Sequence, residues 1–224
     1  MLNLANELLE EINASTNVGI GSGRTISSLI EALSTLNVNN KIKFIPSSSQ
    51  ILLKLQEKGF EINSFPDLNQ IELYIDSVDQ LESNSLYMIK GGGGALLKEK
   101  ILMYNAAKIL IILQENKLTR SLGTNCPVPI EISQISKPFL CHFLRTIGGS
   151  PSIRRDLREF PVYTENGNMI LDVKFDKIDD PPELEQKIKL QPGVIEVGLF
   201  TKRPTSVYLI KDNSFEKLTP SIPR

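Results

Sequence analysis

Val18-Gly19-Ile20-Gly21-Ser22-Gly23-Arg24-Thr25 is the stretch that decides the fold. A short strand over residues 17–20 runs through glycines straight into a helical pattern over residues 25–36, whose Ile26, Leu29, Ile30 and Leu33 share one face. The alternation continues outward. Residues 43–46 read as a second strand and 50–58 as a second helix. Residues 71–75 and 109–113 read as further strands, with a helix over 95–107 between them. Short apolar strands joined by amphipathic helices predict an α/β fold with a Rossmann-like, largely parallel sheet flanked by helices. Ligands of such sheets sit beyond the carboxyl ends of the strands, and the glycine-rich, polar clusters fall there.

After about Gly123 the texture changes. Strands are expected over residues 127–132, 153–156, 169–175 and 194–200, and helices over 138–147 and 182–190. Glu165-Asn166-Gly167-Asn168 reads as a hairpin turn. The order strand-helix-strand-strand-helix-strand is that of a ferredoxin-like βαββαβ unit. A last strand over 207–210 is expected to return to the first sheet. The expected domains are therefore 1–123 plus 201–224, Rossmann-like and catalytic, and 124–200, a smaller α+β domain.

Composition narrows the chemistry. A formal net charge of −1 without a long basic run argues against a nucleic-acid partner, which needs clustered cations. Arg154-Arg155 reads as a solvated edge. Residues 1–13 carry Glu7, Glu10 and Glu11 with no basic run, which reads as an amphipathic helix and not a secretory signal. The most apolar run, 109–113, is too short to span a bilayer, so no membrane partner is expected. Cys126 and Cys141 are too few for a disulfide framework or a thiolate zinc site, which suits a cytoplasmic protein. His142 is the single histidine and lies in an apolar helical run, so it reads as an ordinary packed or half-exposed side chain. Catalysis is left to carboxylates, lysines and glycines, with no metal and no cofactor expected.

Three clusters can carry that chemistry. The first is the opening stretch. GxGxxG from Gly19 would need glycine where Arg24 stands, and the P-loop pattern fails at the same position. A phosphate cradle at a helix N-terminus remains, beside the plainer reading of a tight turn. The second is Asp76-Ser77-Val78-Asp79, two carboxylates just past a buried strand, which are either site groups or turn residues. The third is Lys90-Gly91-Gly92-Gly93-Gly94, where each ordered glycine costs ~0.5–1 kcal/mol relative to alanine. Such a run serves close backbone approach or flexibility, and Lys90 beside it can offer a cation to a developing oxyanion. On a helical wheel the following Glu99 falls inside the apolar arc between Ala106 and Met103. It is a candidate general base or a buried ion-pair partner.

Together, Ser22-Gly23-Arg24-Thr25, Asp76-Ser77-Val78-Asp79, Lys90-Gly91-Gly92-Gly93 and Glu99-Lys100 resemble, in order and spacing, the signature loops of type A ribose-5-phosphate isomerases. The likeness continues through Ser47-Ser48-Ser49, Pro127-Val128-Pro129-Ile130-Glu131, Gly148-Gly149, Asn166-Gly167-Asn168 and Pro192-Gly193-Val194. The resemblance implies interconversion of ribose 5-phosphate and ribulose 5-phosphate in the pentose phosphate pathway. It implies Glu99 as general base, Lys90 as enediolate stabiliser, and Asp76 with Asp79 handling hydroxyl protons and ring opening. It further implies that Ser22, Gly23, Arg24, Thr25, Ser77, Val78, Gly91, Gly92, Gly93 and Lys117 bind the sugar phosphate. A homodimer, with a tetramer as the alternative, is implied too, the smaller domain serving as lid or oligomer contact.

The chain departs from the family pattern in places. Ser77-Val78 stands for Gly-Ala, and Gln80 for Glu. Ser22 and Arg24 replace Thr and Ser of the usual first loop, where Arg24 could strengthen phosphate binding or fill the site. Gln114 stands where an Asp is usual. Two rivals remain in view. An aminosugar-phosphate deaminase would use a loop histidine, and His142 is in no such loop. A non-catalytic sugar-phosphate sensor would place a DNA-binding motif before the first strand, where only about 16 residues stand, and would be free to lose Glu99 or Lys90.

Overall fold

The computed structural model describes residues 1–63, 71–211 and 214–218. In chain order the elements are α1 (Leu2–Asn13), β1 (Asn17–Ile20), α2 (Arg24–Leu33), β2 (Lys43–Pro46), α3 (Ser49–Glu57), β3 (Leu73–Ser77), β4 (Gln80–Glu82) and β5 (Met88–Ile89). Then come α4 (Leu96–Asn105), β6 (Lys108–Gln114), β7 (Leu118–Thr119), β8 (Val128–Ile132), α5 (Lys137–Thr146), β9 (Gly149–Ile153) and β10 (Met169–Phe175). The chain continues through α6 (Pro181–Lys189), β11 (Val194–Val197), β12 (Leu199–Phe200), β13 (Ser206–Lys211) and β14 (Ser214–Leu218).

Two compact units emerge. The first comprises Met1–Ser77, Lys98–Glu115 and Pro204–Arg224, and the second Val78–Leu97 and Asn116–Arg203. The expected cuts at residues 123 and 201 differ from these limits, and the last expected residues, 219–224, lie outside those described. Residues 78–97 join the second unit because β4 and β5 pair with β7 and β12. Strands of two or three residues carry no readable period, so only their non-local partners reveal them.

The first unit is a six-stranded sheet of order β14-β13-β6-β3-β1-β2, parallel except where β14 returns antiparallel along β13. One sheet face, with Val18, Ile20, Leu73, Ile75, Leu110 and Ile112, packs against the apolar sides of α1, α2 and α3 in a single core. Burial of these branched side chains stabilises the unit by about 1.5–3 kcal/mol per residue. The alternate residues Gly19, Tyr74 and Asp76 point to the other face. There a Cβ on Gly19 would lie 3.7 Å from Cβ of Leu102, so α4 covers that face. Glu99 stands one helical turn before Leu102 and inherits its inward direction.

The second unit holds an antiparallel sheet of order β11-β8-β10-β9, with α5 and α6 packed on one face over Val128, Ile130, Leu171, Val173 and Val197. With chain order β8-α5-β9-β10-α6-β11 this is the ferredoxin-like arrangement the sequence predicts. Two details differ. The strand expected over 153–156 is β9, which begins at Gly149, where absence of a side chain lets it lie against Leu144 and Val173. The strand expected over 194–200 is split at Gly198, which donates to the Pro129 carbonyl and accepts from Lys90 N, passing the chain from one sheet to the other. Among the described residues no helix is long and apolar enough to cross a membrane.

Candidate active site

In the first unit the predicted residues gather where β1 and β3 end. From β1 the chain moves to β2 on one side and then to β3 on the other, so the carboxyl ends of β1 and β3 flank a topological switch point. Gly21 N donates to the Ile75 carbonyl at 2.9 Å, which holds the loop against the end of β3. A Cβ on Gly21 would fall inside the Asp76 carboxyl group, so only glycine passes there. Asp76 is fully buried. Its Oδ1 accepts from Ser22 N at 3.2 Å and Ser77 N at 2.7 Å, and its Oδ2 accepts from the Tyr74 hydroxyl. Those donors satisfy a carboxylate that burial would otherwise make costly. Burial first, then the Asp76 and Glu99 charges, push the Tyr74 phenol well above its ordinary pKa, which keeps it a neutral donor.

Glu99, in the first turn of α4, is only 2% exposed, and its Oε1 accepts from Ser22 Oγ at 2.5 Å. Ser22 thus joins the two carboxylates, its amide to Asp76 and its hydroxyl to Glu99. Gly23 caps α2 at a φ of +92°, a conformation that glycine adopts without strain. Arg24, the first residue of α2, is exposed. Thr25 is half-buried in the first turn of α2.

In the second unit Lys90 follows β5. Its amide donates to the Gly198 carbonyl at 2.9 Å, and its ammonium lies 5.5 Å from the centre of the Phe200 ring. Gly198 permits this, since a Cβ there would come within 2.5 Å of the Lys90 carbonyl oxygen. Gly94 N donates to Gly91 O at 3.0 Å and closes a tight turn, in which Gly91 is buried while Gly92 and Gly93 are exposed. Asp79 Oδ2 accepts from Gly92 N at 2.7 Å. Val78 is buried, and its carbonyl accepts from Lys117 Nζ at 2.5 Å.

The structure therefore brings Ser22, Asp76 and Glu99 together in one unit, and Asp79 with Gly92 and Lys117 with Val78 in the other. Sequence reasoning missed Tyr74, Gly198, Phe200 and Arg154. Tyr74 could have been found, because two residues along a strand from Asp76 it must share its face. Arg154 is not the solvated edge expected of Arg154-Arg155. Its neighbour Arg155 is exposed, but Arg154 is half-buried and hydrogen-bonded to the glycine loop. His142 is exposed on α5.

Residues 43–214 match the family described as ribose 5-phosphate isomerase A (phosphoriboisomerase A). The chain belongs to that family. It is 39% identical over 205 residues to ribose-5-phosphate isomerase A of Blochmanniella floridana, covering 91% of this chain and 89% of that one. Ribose 5-phosphate isomerase A of Methanocaldococcus jannaschii superposes with a TM-score of 0.87 at 31% identity, covering 97% of each chain. A D-ribose-5-phosphate isomerase solved with phospho-erythronic acid superposes with a TM-score of 0.89 at 31% identity, covering 97% of this chain and 96% of that one. As a member of the ribose 5-phosphate isomerase A family the protein is an aldose–ketose isomerase.

Proposed function

We propose that the protein interconverts ribose 5-phosphate and ribulose 5-phosphate through an enediolate, with Glu99 as the base. In the open-chain aldose Glu99 takes the proton from C2 and the C2–H electrons form the C1–C2 double bond. The carbonyl oxygen on C1 becomes an oxyanion, stabilised by the Lys90 ammonium. Asp76 and Asp79 move the hydroxyl protons and assist ring opening. The proton of the C2 hydroxyl then passes to the oxygen on C1, and Glu99 returns its proton to C1 as the C2–O double bond forms, which leaves the ketose. Ser22, Gly23, Arg24, Thr25, Ser77, Val78, Gly91, Gly92, Gly93 and Lys117 bind the sugar phosphate. Phosphate binding remote from C1 and C2 orients the reacting carbons.

The observation that carries this assignment is Glu99 itself. It is a carboxylate in an otherwise apolar helix arc, buried, and accepting a hydroxyl hydrogen bond, as a base held ready for a proton must. A relative solved with phospho-erythronic acid, a sugar-acid phosphate, supports the substrate class. We place the enzyme in the cytoplasm as a homodimer, a state that light scattering of the purified protein would check. The catalytic test is ribulose 5-phosphate formation from ribose 5-phosphate in the presence of EDTA. Turnover is expected for the unmodified protein. Glu99→Gln is expected to lose about 1,000-fold or more in kcat. Full activity in that variant would remove Glu99 from the role.

A further inference from the structure

We propose that Arg154, locked by Asp172, is a positioning residue that holds the glycine loop 91–94 in its working conformation. This inference rests on the isomerase reading, in which that loop follows Lys90 and binds the substrate. A run of four glycines is the least self-ordering sequence a site can use, because each residue has wide backbone freedom to lose. Something outside the run must hold it.

Arg154, at the end of β9, supplies the hold. Its Nε donates to Asp172 Oδ2 at 2.9 Å and its Nη2 to Asp172 Oδ1 at 2.5 Å, a two-pronged pair with a residue of β10. The remaining nitrogen, Nη1, donates to Gly91 O at 2.8 Å and to Gly92 O at 2.9 Å. These bonds engage all three nitrogens of the guanidinium. A lysine has neither the planar fork nor enough directed donors to copy this.

Peptide geometry turns the clamp into an aiming device. In a trans peptide the C=O and N–H point in opposite directions. The unit joining Gly91 to Gly92 therefore carries Arg154 on its oxygen and Asp79 on its N–H, each charge matching its end of the dipole. In the next unit Arg154 holds Gly92 O, which turns the Gly93 N–H away from the guanidinium. The loop's orientation, and with it the departure of the chain from Lys90, is fixed by two charged side chains and not by a sheet.

Steady-state kinetics on the full chain with ribose 5-phosphate test this. Arg154→Ala is expected to lower kcat about 100-fold, the scale of a catalytic group displaced by about 1 Å, with KM within about threefold. Arg154→Lys is expected to stay at least about tenfold below wild type. Millimolar guanidinium should restore part of the Arg154→Ala activity, and Arg155→Ala should behave as wild type. Hydrogen exchange of the amides of residues 91–94 should accelerate in Arg154→Ala, a readout independent of turnover. If the unmodified protein does not isomerise the sugar, the functional reading fails, and hydrogen exchange alone still judges the clamp. Wild-type kcat in Arg154→Lys, a change confined to KM, or unaltered exchange in the loop would each overturn the proposal. Arg154→Lys serves as the judge where Arg154→Ala does not fold.

Discussion

The carboxylate cluster of the first unit and the glycine loop of the second solve one problem in different ways. Asp76 and Gly21 stand at the ends of neighbouring parallel strands, so the ladder itself fixes them, and Ser22 ties Asp76 to Glu99. The loop 91–94 lies outside any strand, and its order comes from Arg154 and Asp79. A site built on strand ends should be sensitive to backbone crowding and costly to the whole fold when disturbed. A clamped loop should lose function with little effect on stability.

Gly21→Ala breaks the first half hardest. Its new Cβ overlaps Asp76, so strand ends must part, at a cost of about 3 kcal/mol. That lowers the thermal midpoint by roughly 6–12 °C in a chain of this size, with isomerisation falling in parallel. Calorimetry and activity measured on one preparation would show both. Gly92→Ala sharpens the contrast. Its Cβ would lie 2.5 Å from Asp79 Oδ1, yet the residue is exposed. Activity is expected to fall about tenfold while the midpoint moves by no more than roughly 2 °C. An equal loss of stability in both variants would erase the distinction.

Ser22→Ala is a gentler probe of the first half. It removes the hydroxyl from Glu99 but leaves the Ser22 amide on Asp76, so kcat should drop about tenfold without unfolding the unit. Ser22→Thr should keep most of the activity. A last probe concerns Cys126 in the second unit. Burial first, then the Asp79 charge, push its thiol up to about 12. The thiol stays protonated at neutral pH, so alkylation at pH 8 should run roughly 50-fold slower than for free cysteine and rise with pH. Mass spectrometry of a Cys141→Ser variant isolates that signal.

Much of the first half could be read from sequence. Ile26, Leu29, Ile30 and Leu33 announce α2, and the wheel places Glu99 inward, because both signals are local and periodic. Much of the second half could not. Arg154 meets Asp172, Gly91 and Gly92 only through folding, and adjacent arginines look alike until one is buried. Strands β4, β5 and β7 are too short for a period, and Gly198 breaks a strand for the sake of a contact with Lys90 far back in the chain. Even β14, with polar Ser214, Glu216 and Lys217, becomes a strand only by pairing with β13. Elements fixed by their own pattern are legible, whereas those fixed by distant partners are not.

The central claim is that Glu99 carries a proton between C2 and C1. Ribose 5-phosphate incubated with the protein in deuterium oxide and run to equilibrium tests it, with deuterium located by NMR. The account predicts deuterium at C1 of the ketose, and neither product nor exchange above background with Glu99→Gln. Normal ketose formation, or normal exchange, by Glu99→Gln would contradict it.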